Sequence, residues 1–276
     1  MSRLRKKFIL SQKKLKVVFF GDVVGETGRE VLRQAIPKIK SLYQPDFIIA
    51  NGENAAGGNG ITPKITYEFL RLGIDVITLG DHAWDQKEIV SFIQDEPRLL
   101  RPINYPPDTP GEGYIIVKGN GKKLAVLCAI GRTFMIPQTD NPFLISKKII
   151  TELHKETPCI FVDFHAEATS EKIAFGRFLD GSVSAVAGTH THVQTADETI
   201  FPGGTAYITD VGFCGAHDSV IGREIGPIIY RYTTLLPTKF VLATNNPKAN
   251  GIFVEIEEQS GKALKIERIQ LAFNLS

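Results

Sequence analysis

The sequence predicts an α/β fold in which mixed β-sheets carry helices on their outer sides. Three observations lead there. Near-continuous apolar runs such as Leu15–Phe20 suit strands buried on both faces of a sheet. Segments with apolar residues at helical spacing follow several of these runs. Paired runs joined by Gly-containing turns interrupt the alternation and read as hairpins. Strand and helix, then hairpin, then strand and helix again give a mixed sheet system.

The elements follow in order. Leu15–Phe20, broken only by Lys16, ends in Gly21-Asp22 and is the first strand. Glu26–Leu42 places Val31, Leu32, Ala35, Ile36 and Ile39 on one helical face. Asp46–Ala50 is the second strand, and the Gly-rich loop Asn51–Gly60 follows it. Pro63 suits the first turn of a helix to Leu72, which Gly73 ends. Ile74–Leu79 is the third strand. Tyr114–Val117 and Leu124–Ile130 flank Lys118–Lys122 and predict a hairpin. A helix lies between Pro142 and Lys155, a strand over Ile160–Phe164 reaches His165, and a helix spans Glu171–Leu179. Val183–Ala187 and Ala206–Thr209 are strands. Ile252–Ile256 and Leu264–Leu271 close the chain as a hairpin around Ser260-Gly261.

The chain has 276 residues, enough for one substantial core, and no repeat or linker divides it. Its charge is uneven. Residues 1–16 hold seven of the 32 basic groups and no acid, leaving 25 basic against 30 acidic residues in the rest. Residues 1–14 are therefore expected to be a flexible basic tail and 15–276 a single domain. A net-acidic body excludes broad electrostatic affinity for nucleic acid, so only the tail suggests contact with short RNA or anionic lipid. No apolar stretch reaches the ~18 residues of a membrane span, and no secretory signal is evident. Cys128, Cys159 and Cys214 are odd in number and widely spaced, which suits reduced thiols in a cytoplasmic protein.

Chemistry collects where strands end. The first strand delivers Asp22, the second Glu53 and Asn54, and the third Asp81 and His82; later strands deliver His165, then His190 and His192. Open α/β sheets bind ligands beyond the carboxyl ends of their strands, so these residues can meet in one crevice. Taken singly, Asp22 also suits a helix cap, Glu53-Asn54 an ordinary turn, and His165 a satisfied buried histidine. His190-x-His192 is stronger, because i and i+2 of an extended segment face one side. Imidazoles, carboxylates and an amide without thiolate favour Fe, Mn, Zn or Co over Ca or a structural zinc. The donors outnumber what one open-sited ion needs. Two ions sharing a carboxylate use them better, clamping a phosphoryl oxygen and acidifying water.

The motifs around these residues resemble a known family. They are Gly21-Asp22-Val23-Val24-Gly25-Glu26-Thr27-Gly28-Arg29, Asn51-Gly52-Glu53-Asn54-Ala55-Ala56-Gly57, Gly80-Asp81-His82-Ala83-Trp84-Asp85 and Arg101-Pro102-Ile103-Asn104. Further along stand Asp163–Lys172, Gly188-Thr189-His190-Thr191-His192-Val193 and Gly204–Gly212. Together they resemble the bacterial YmdB-like metallophosphoesterases of the calcineurin-like superfamily, in order from about Lys16 to the C-terminus. The resemblance implies a four-layer α/β/β/α sandwich, a dinuclear site often containing iron, and hydrolysis of 2′,3′-cyclic nucleotides. It also implies a cytoplasmic protein that forms homo-oligomers. Carried onto this chain, Asp22, Asn54 and His192 hold one ion, Asp81, His165 and His190 the second, and Glu53 bridges. On that reading the ions would supply hydroxide for attack on phosphorus, and His82 would protonate the leaving oxygen. The family has Asn where this chain has Asp81, an exchange expected to tighten metal binding and weaken Lewis acidity, and to allow pairing with His82.

Arg29 and Asn104 are candidate substrate contacts, against a solvent-facing helix arginine and a turn-shaping asparagine. The loops around 132–142 and 212–222, the latter with His217, are expected to set specificity; His154 suits a surface helix. Two other outcomes belong to the same motifs: a phosphomonoesterase or phosphoprotein phosphatase, and a weakly active scaffold binding RNA or protein. A dinucleotide site is disfavoured, since Gly21-x3-Gly25-x2-Gly28 lacks the G-x-G-x-x-G spacing and has Asp22 where pyrophosphate would approach.

Overall fold

The computed structural model describes residues 13–274. Strand β1 (Lys14–Phe20) is followed by the short β2 (Asp22–Val23), helix α1 (Gly25–Tyr43), β3 (Phe47–Asn51), α2 (Pro63–Leu72) and β4 (Val76–Thr78). A single helical turn, α3 (Ile89–Phe92), and β5 (Leu99–Leu100) complete this series. Next come the hairpin β6 (Tyr114–Gly119) and β7 (Lys122–Ile130), then α4 (Pro142–Leu153), β8 (Ile160–His165), α5 (Thr169–Phe178), β9 (Ala185–Thr189), β10 (Thr199–Ile200) and β11 (Ala206–Ile208). The chain closes with β12 (Phe213–Ala216), α6 (Ile225–Thr234) and the hairpin β13 (Pro247–Glu257) and β14 (Ala263–Ala272).

These strands form two mixed sheets. The first has eight strands in the order β2-β12-β13-β1-β3-β4-β5, with β14 on β13; the second has six, β10-β11-β9-β8-β7-β6. Strands β1, β3, β4 and β5 run parallel, as do β7, β8, β9 and β11, so each sheet gathers several carboxyl ends at one edge.

Side-chain alternation stacks the layers. Val17, Phe19 and Ile49 meet Val126, Phe161 and Ala187 between the sheets, with Phe19 and Phe161 edge to face at 5.1 Å. Val18, Phe20 and Ile48 point the other way, onto Leu32, Ile36 and Ile39 of α1 and Phe69 of α2. Leu127, Val162 and Phe164 pack outward on Ile150 of α4 and Phe175 of α5. The order is helix, sheet, sheet, helix, as the family resemblance implied. A strand with helices on one side and a second sheet on the other must be apolar at both parities, which accounts for the unbroken runs. Each Phe, Leu or Ile so buried contributes about 1.5–3 kcal/mol.

Local signals act where expected. Gly73 ends α2 at φ 94°, and Asn120-Gly121 turn the β6–β7 hairpin with φ 52° and 76°, the left-handed pair a two-residue turn needs. The expected basic tail lies largely outside the described residues. Its last residue, Lys14, already belongs to β1 and pairs with Glu255 at 3.0 Å. Six elements are absent from the sequence reading: the very short β2, β5, β10 and α3, together with β12, which carries a glycine in a segment that reads as loop, and α6. Among the described residues no helix is long and apolar enough to cross a membrane.

Candidate metal centre

Asp22, Glu53, Asp81, His165 and His190 each sit at or just beyond the carboxyl end of a strand, and the packing of the two sheets brings them together. His165 is the hub. Its Nε2 lies 3.0 Å from Glu53 Oε1, 3.0 Å from Asp81 Oδ1 and 3.0 Å from His190 Nδ1. One potential donor atom from each of Glu53, Asp81, His165 and His190 falls within 4.8 Å of the others.

Asp22 stands beside this group, its Oδ1 3.8 Å from His165 Nδ1 and 3.7 Å from His192 Nε2. That oxygen is buried and has no hydrogen-bond partner among the described residues, although its twin accepts from the His190 backbone N–H at 3.2 Å. An unpartnered buried carboxylate oxygen is costly unless a cation completes it. Asn54 donates to Glu53 Oε1 at 2.9 Å. The donor set therefore fits a cation: carboxylates and imidazoles converge with an oxygen to spare, and a metal ion would satisfy them together.

The histidine tautomers are set by their neighbours. Thr189 donates its hydroxyl to Asp163 at 2.7 Å, so its oxygen accepts Nδ1–H of His165 at 2.9 Å and leaves Nε2 for the centre. His192 donates Nδ1–H to the Ile221 carbonyl at 3.1 Å, turning Nε2 toward Asp22. Glu167 lies 3.1 Å from His190 Nε2, leaving Nδ1 for the centre. Gly80 is required here. A Cβ at that position would lie 2.2 Å from the His165 ring and 2.3 Å from Glu53 Oε2.

Charge follows the same geometry. Burial opposes ionisation of Asp81, but hydrogen bonds from His165 and His190 outweigh it and hold the carboxyl far below its usual range. Burial likewise opposes the charge on Asp22, which His192 and His165 overcome. Burial disfavours the imidazolium of His165, yet Glu53, Asp81 and Asp22 raise its pKa well above normal. Burial pushes the Asp163 carboxyl up to about 6, even though the nearby His165 and the hydroxyls of Thr189 and Thr78 act to lower it.

A cleft of about 290 Å³ opens over the centre, lined by Glu53, Asn54, His82, Glu167, His190, His192 and Arg223 among others. His82 Nδ1 is 2.8 Å from Asp85 Oδ2, which leaves Nε2, 3.8 Å from Asp81 Oδ2, on the cleft side. Arg223 is its sole lining lysine or arginine among the described residues, and its guanidinium donates to Gly58 O and Asn59 Oδ1 at 3.1 and 2.9 Å.

Two sequence candidates turn elsewhere. Arg29 pairs with Glu68 of α2 at 3.2 Å, tying two helices together, and does not line the cleft. Asn104 is fully buried; its amide donates to Ile130 O, Thr139 Oγ1 and Asp140 O and accepts Ile130 N–H, so it bolts the 131–140 loop to β7. His190 and His192 do not lie in the extended segment expected for them: they follow β9 with φ 98° and 61°, in left-handed backbone. Such strain in non-glycine residues persists where surroundings over-determine it. His217 stays out of the cleft, stacked on Phe213 at 4.2 Å.

Glu167, Asp85 and Arg223 were given no role from sequence. The first two stand inside the quoted motifs, while Arg223 lies in Ile221-Gly222-Arg223, where no local pattern marks it.

A profile of the family described as YmdB-like protein matches residues 18–269. The chain belongs to this family. It is 52% identical over 255 residues to the 2′,3′-cyclic-nucleotide 2′-phosphodiesterase of Bacillus subtilis (strain 168), covering 92% of this chain and 96% of that protein. Among solved structures, a hypothetical protein from Thermus thermophilus superposes with a TM-score of 0.87 at 38% identity, covering 94% of this chain and 99% of the other. A phosphatase from Mycoplasma pneumoniae gives 0.89 at 35%, covering 95% and 94%. The YmdB-like assignment agrees with the enzyme class expected from the motifs, a phosphoesterase, and with a two-sheet metallophosphoesterase fold.

Proposed function

We propose that this YmdB-like protein is a metal-dependent phosphodiesterase that opens 2′,3′-cyclic nucleotides. The observation that carries the reading is the convergence of Glu53, Asp81, His165 and His190 within 4.8 Å beneath an open cleft. The Bacillus subtilis relative, named for that activity, supports the substrate class.

In this reading Asp22, Asn54 and His192 hold one ion, Asp81, His165 and His190 a second, and Glu53 is shared. Iron suits the set, and Mn, Zn or Co share its preference for mixed nitrogen and oxygen donors. Such ions would neutralise charge on the phosphoryl oxygens and acidify water at the phosphorus. The protein's own groups do the rest. Arg223 faces the non-bridging oxygens as the cation of the cleft wall. Asp85 accepts Nδ1–H of His82 and orients the ring, and the imidazolium form of His82 gives its Nε2 proton to the departing 2′ oxygen as the bond from that oxygen to phosphorus breaks. The ring strain of a five-membered cyclic ester assists that cleavage.

Elemental analysis of the purified protein, paired with hydrolysis of 2′,3′- and 3′,5′-cyclic nucleotides, p-nitrophenyl esters and short RNA, tests the reading. Two equivalents of transition metal and preference for the 2′,3′-cyclic esters are expected. A metal-replete protein that leaves those esters intact overturns it. Removal of residues 1–14 is expected to leave hydrolysis unchanged; loss of function on that deletion would favour the RNA- or protein-binding scaffold.

A further inference from the structure

Next to the metal cleft lies a second chamber of about 400 Å³. Its walls come from the loop before α6, from α6 itself and from the segment after it: Ile221, Ile228, Tyr232, Leu235 and Phe240, with Arg223 and Arg231 at its borders. The cleft and the chamber share two residues, Ile221 and Arg223. The join is structural as well as spatial. The Ile221 carbonyl accepts Nδ1–H of His192 at 3.1 Å while the same residue lines both spaces, and the Arg223 guanidinium stands at the boundary.

We propose that this chamber is the subsite for the base of a nucleotide whose phosphate lies in the metal cleft, an inference that rests on the phosphodiesterase reading above. The contrast in chemistry divides the substrate. The cleft presents carboxylates, imidazoles and Arg223, which suit a phosphate with its counter-cations. The chamber presents aliphatic and aromatic carbon, which suits the flat face of a base. Tyr232 and Phe240, 78% and 42% exposed, both line the chamber and present aromatic surface to solvent. Large exposed apolar groups gathered at one place mark a binding surface. Base stacking on aromatic rings accepts every base, because each has a π-face. Purine and pyrimidine cyclic nucleotides should therefore be cleaved with efficiencies within a few-fold of one another.

The test compares a 2′,3′-cyclic nucleotide with glycerol 1,2-cyclic phosphate, which keeps the strained ester and lacks the base. For the metal-loaded wild type, kcat/KM should favour the nucleotide. In a Tyr232→Ala/Phe240→Ala variant that preference should fall by about tenfold or more, the scale of a lost base–aromatic stack. Tyr232→Trp, which keeps a stacking face, should retain it. Circular dichroism checks that the variants remain folded. An undiminished preference in the folded double variant overturns the subsite, as does a wild type that cleaves both esters equally well. A double variant that changes only its sedimentation mass also overturns it and assigns the face to contact between copies of this chain. A wild type that cleaves neither ester refutes the phosphodiesterase reading itself.

Discussion

Lys172 of α5 and Asp210, two residues beyond β11, form an ion pair at 2.7 Å with both side chains withdrawn from solvent. The same Asp210 oxygen accepts the backbone N–H and the hydroxyl of Thr191, at 3.1 and 2.7 Å, while its other oxygen accepts Gly212 N–H at 2.8 Å. Thr191 is the residue between His190 and His192. The pair thus anchors the turn whose left-handed backbone aims both imidazoles. Lys172→Met should strand a buried carboxylate and cost about 3–5 kcal/mol of stability. Urea unfolding measures that loss, and metal content after purification should fall with it. Unchanged stability would mean that the turn holds its shape without the pair.

His82 should separate catalysis from metal binding. It lines the cleft but lies outside the cluster of donor atoms, with Asp85 holding its Nδ1 side. His82→Ala is expected to keep its metal and lose about 10²–10⁴ in turnover, the usual span for general acid catalysis. Asp85→Asn keeps the imidazole but loses the carboxylate that orients it, so a smaller loss is expected. Steady-state kinetics beside metal analysis decides, and full turnover in His82→Ala would remove the residue from that role.

Thr189 is a quieter part of the centre. It relays between Asp163 and His165, accepting from the ring while donating to the carboxylate. Thr189→Val removes the oxygen, frees the tautomer of His165 and leaves Asp163 short of a donor. Partners of this kind typically alter metal affinity by about 10–100-fold when lost. Competition with a chelator of known affinity would register the weakening.

Much of this was legible in the sequence because its cause is local. Apolar runs, Pro63 at a helix start, Gly73 past a helix end and Asn120-Gly121 between two strands each act within a few residues of themselves. The placement of Asp22, Glu53, Asp81, His165 and His190 follows from one topological rule about strand ends. Arg29 and Asn104 escaped that logic. What Arg29 touches depends on where α2 lies, and what Asn104 bonds depends on the path of the 131–140 loop, neither of which is written nearby. Arg223 escaped for the same reason, since it reaches the cleft across Gly58 and Asn59. Helix α6 is different: Ile225, Ile228, Ile229 and Tyr232 recur at helical spacing, and that signal could have been read.

The cysteines should be inert in the native protein. All three are buried and free, and none lies in the cleft lining. Burial pushes the Cys159 thiol up to about 11 and that of Cys214 to about 12, and raises Cys128 well above its ordinary value. Since the thiolate is the reactive form, a disulfide reagent at neutral pH should find no rapid thiol in the folded protein and three per chain in denaturant. One fast thiol in native conditions would mean that a core strand opens.

Glu53→Gln bears most directly on the centre. Glu53 Oε1 touches His165 Nε2 and accepts from Asn54, while Oε2 lies 3.4 Å from the His82 backbone nitrogen, so one carboxylate reaches both halves of the donor set. The amide keeps the shape and removes the charge. Two dications held by mixed imidazole and carboxylate groups rely on anionic oxygen, so this exchange should lower the metal content rather than merely slow turnover. Asp22→Ala should also lower it, because it deletes a buried oxygen that has no hydrogen-bond partner among the described residues. Elemental analysis of the two variants beside the wild type tests both expectations. If Glu53→Gln retained the wild-type metal content, another residue would have to bridge, and the division of ligands around Glu53 would fail.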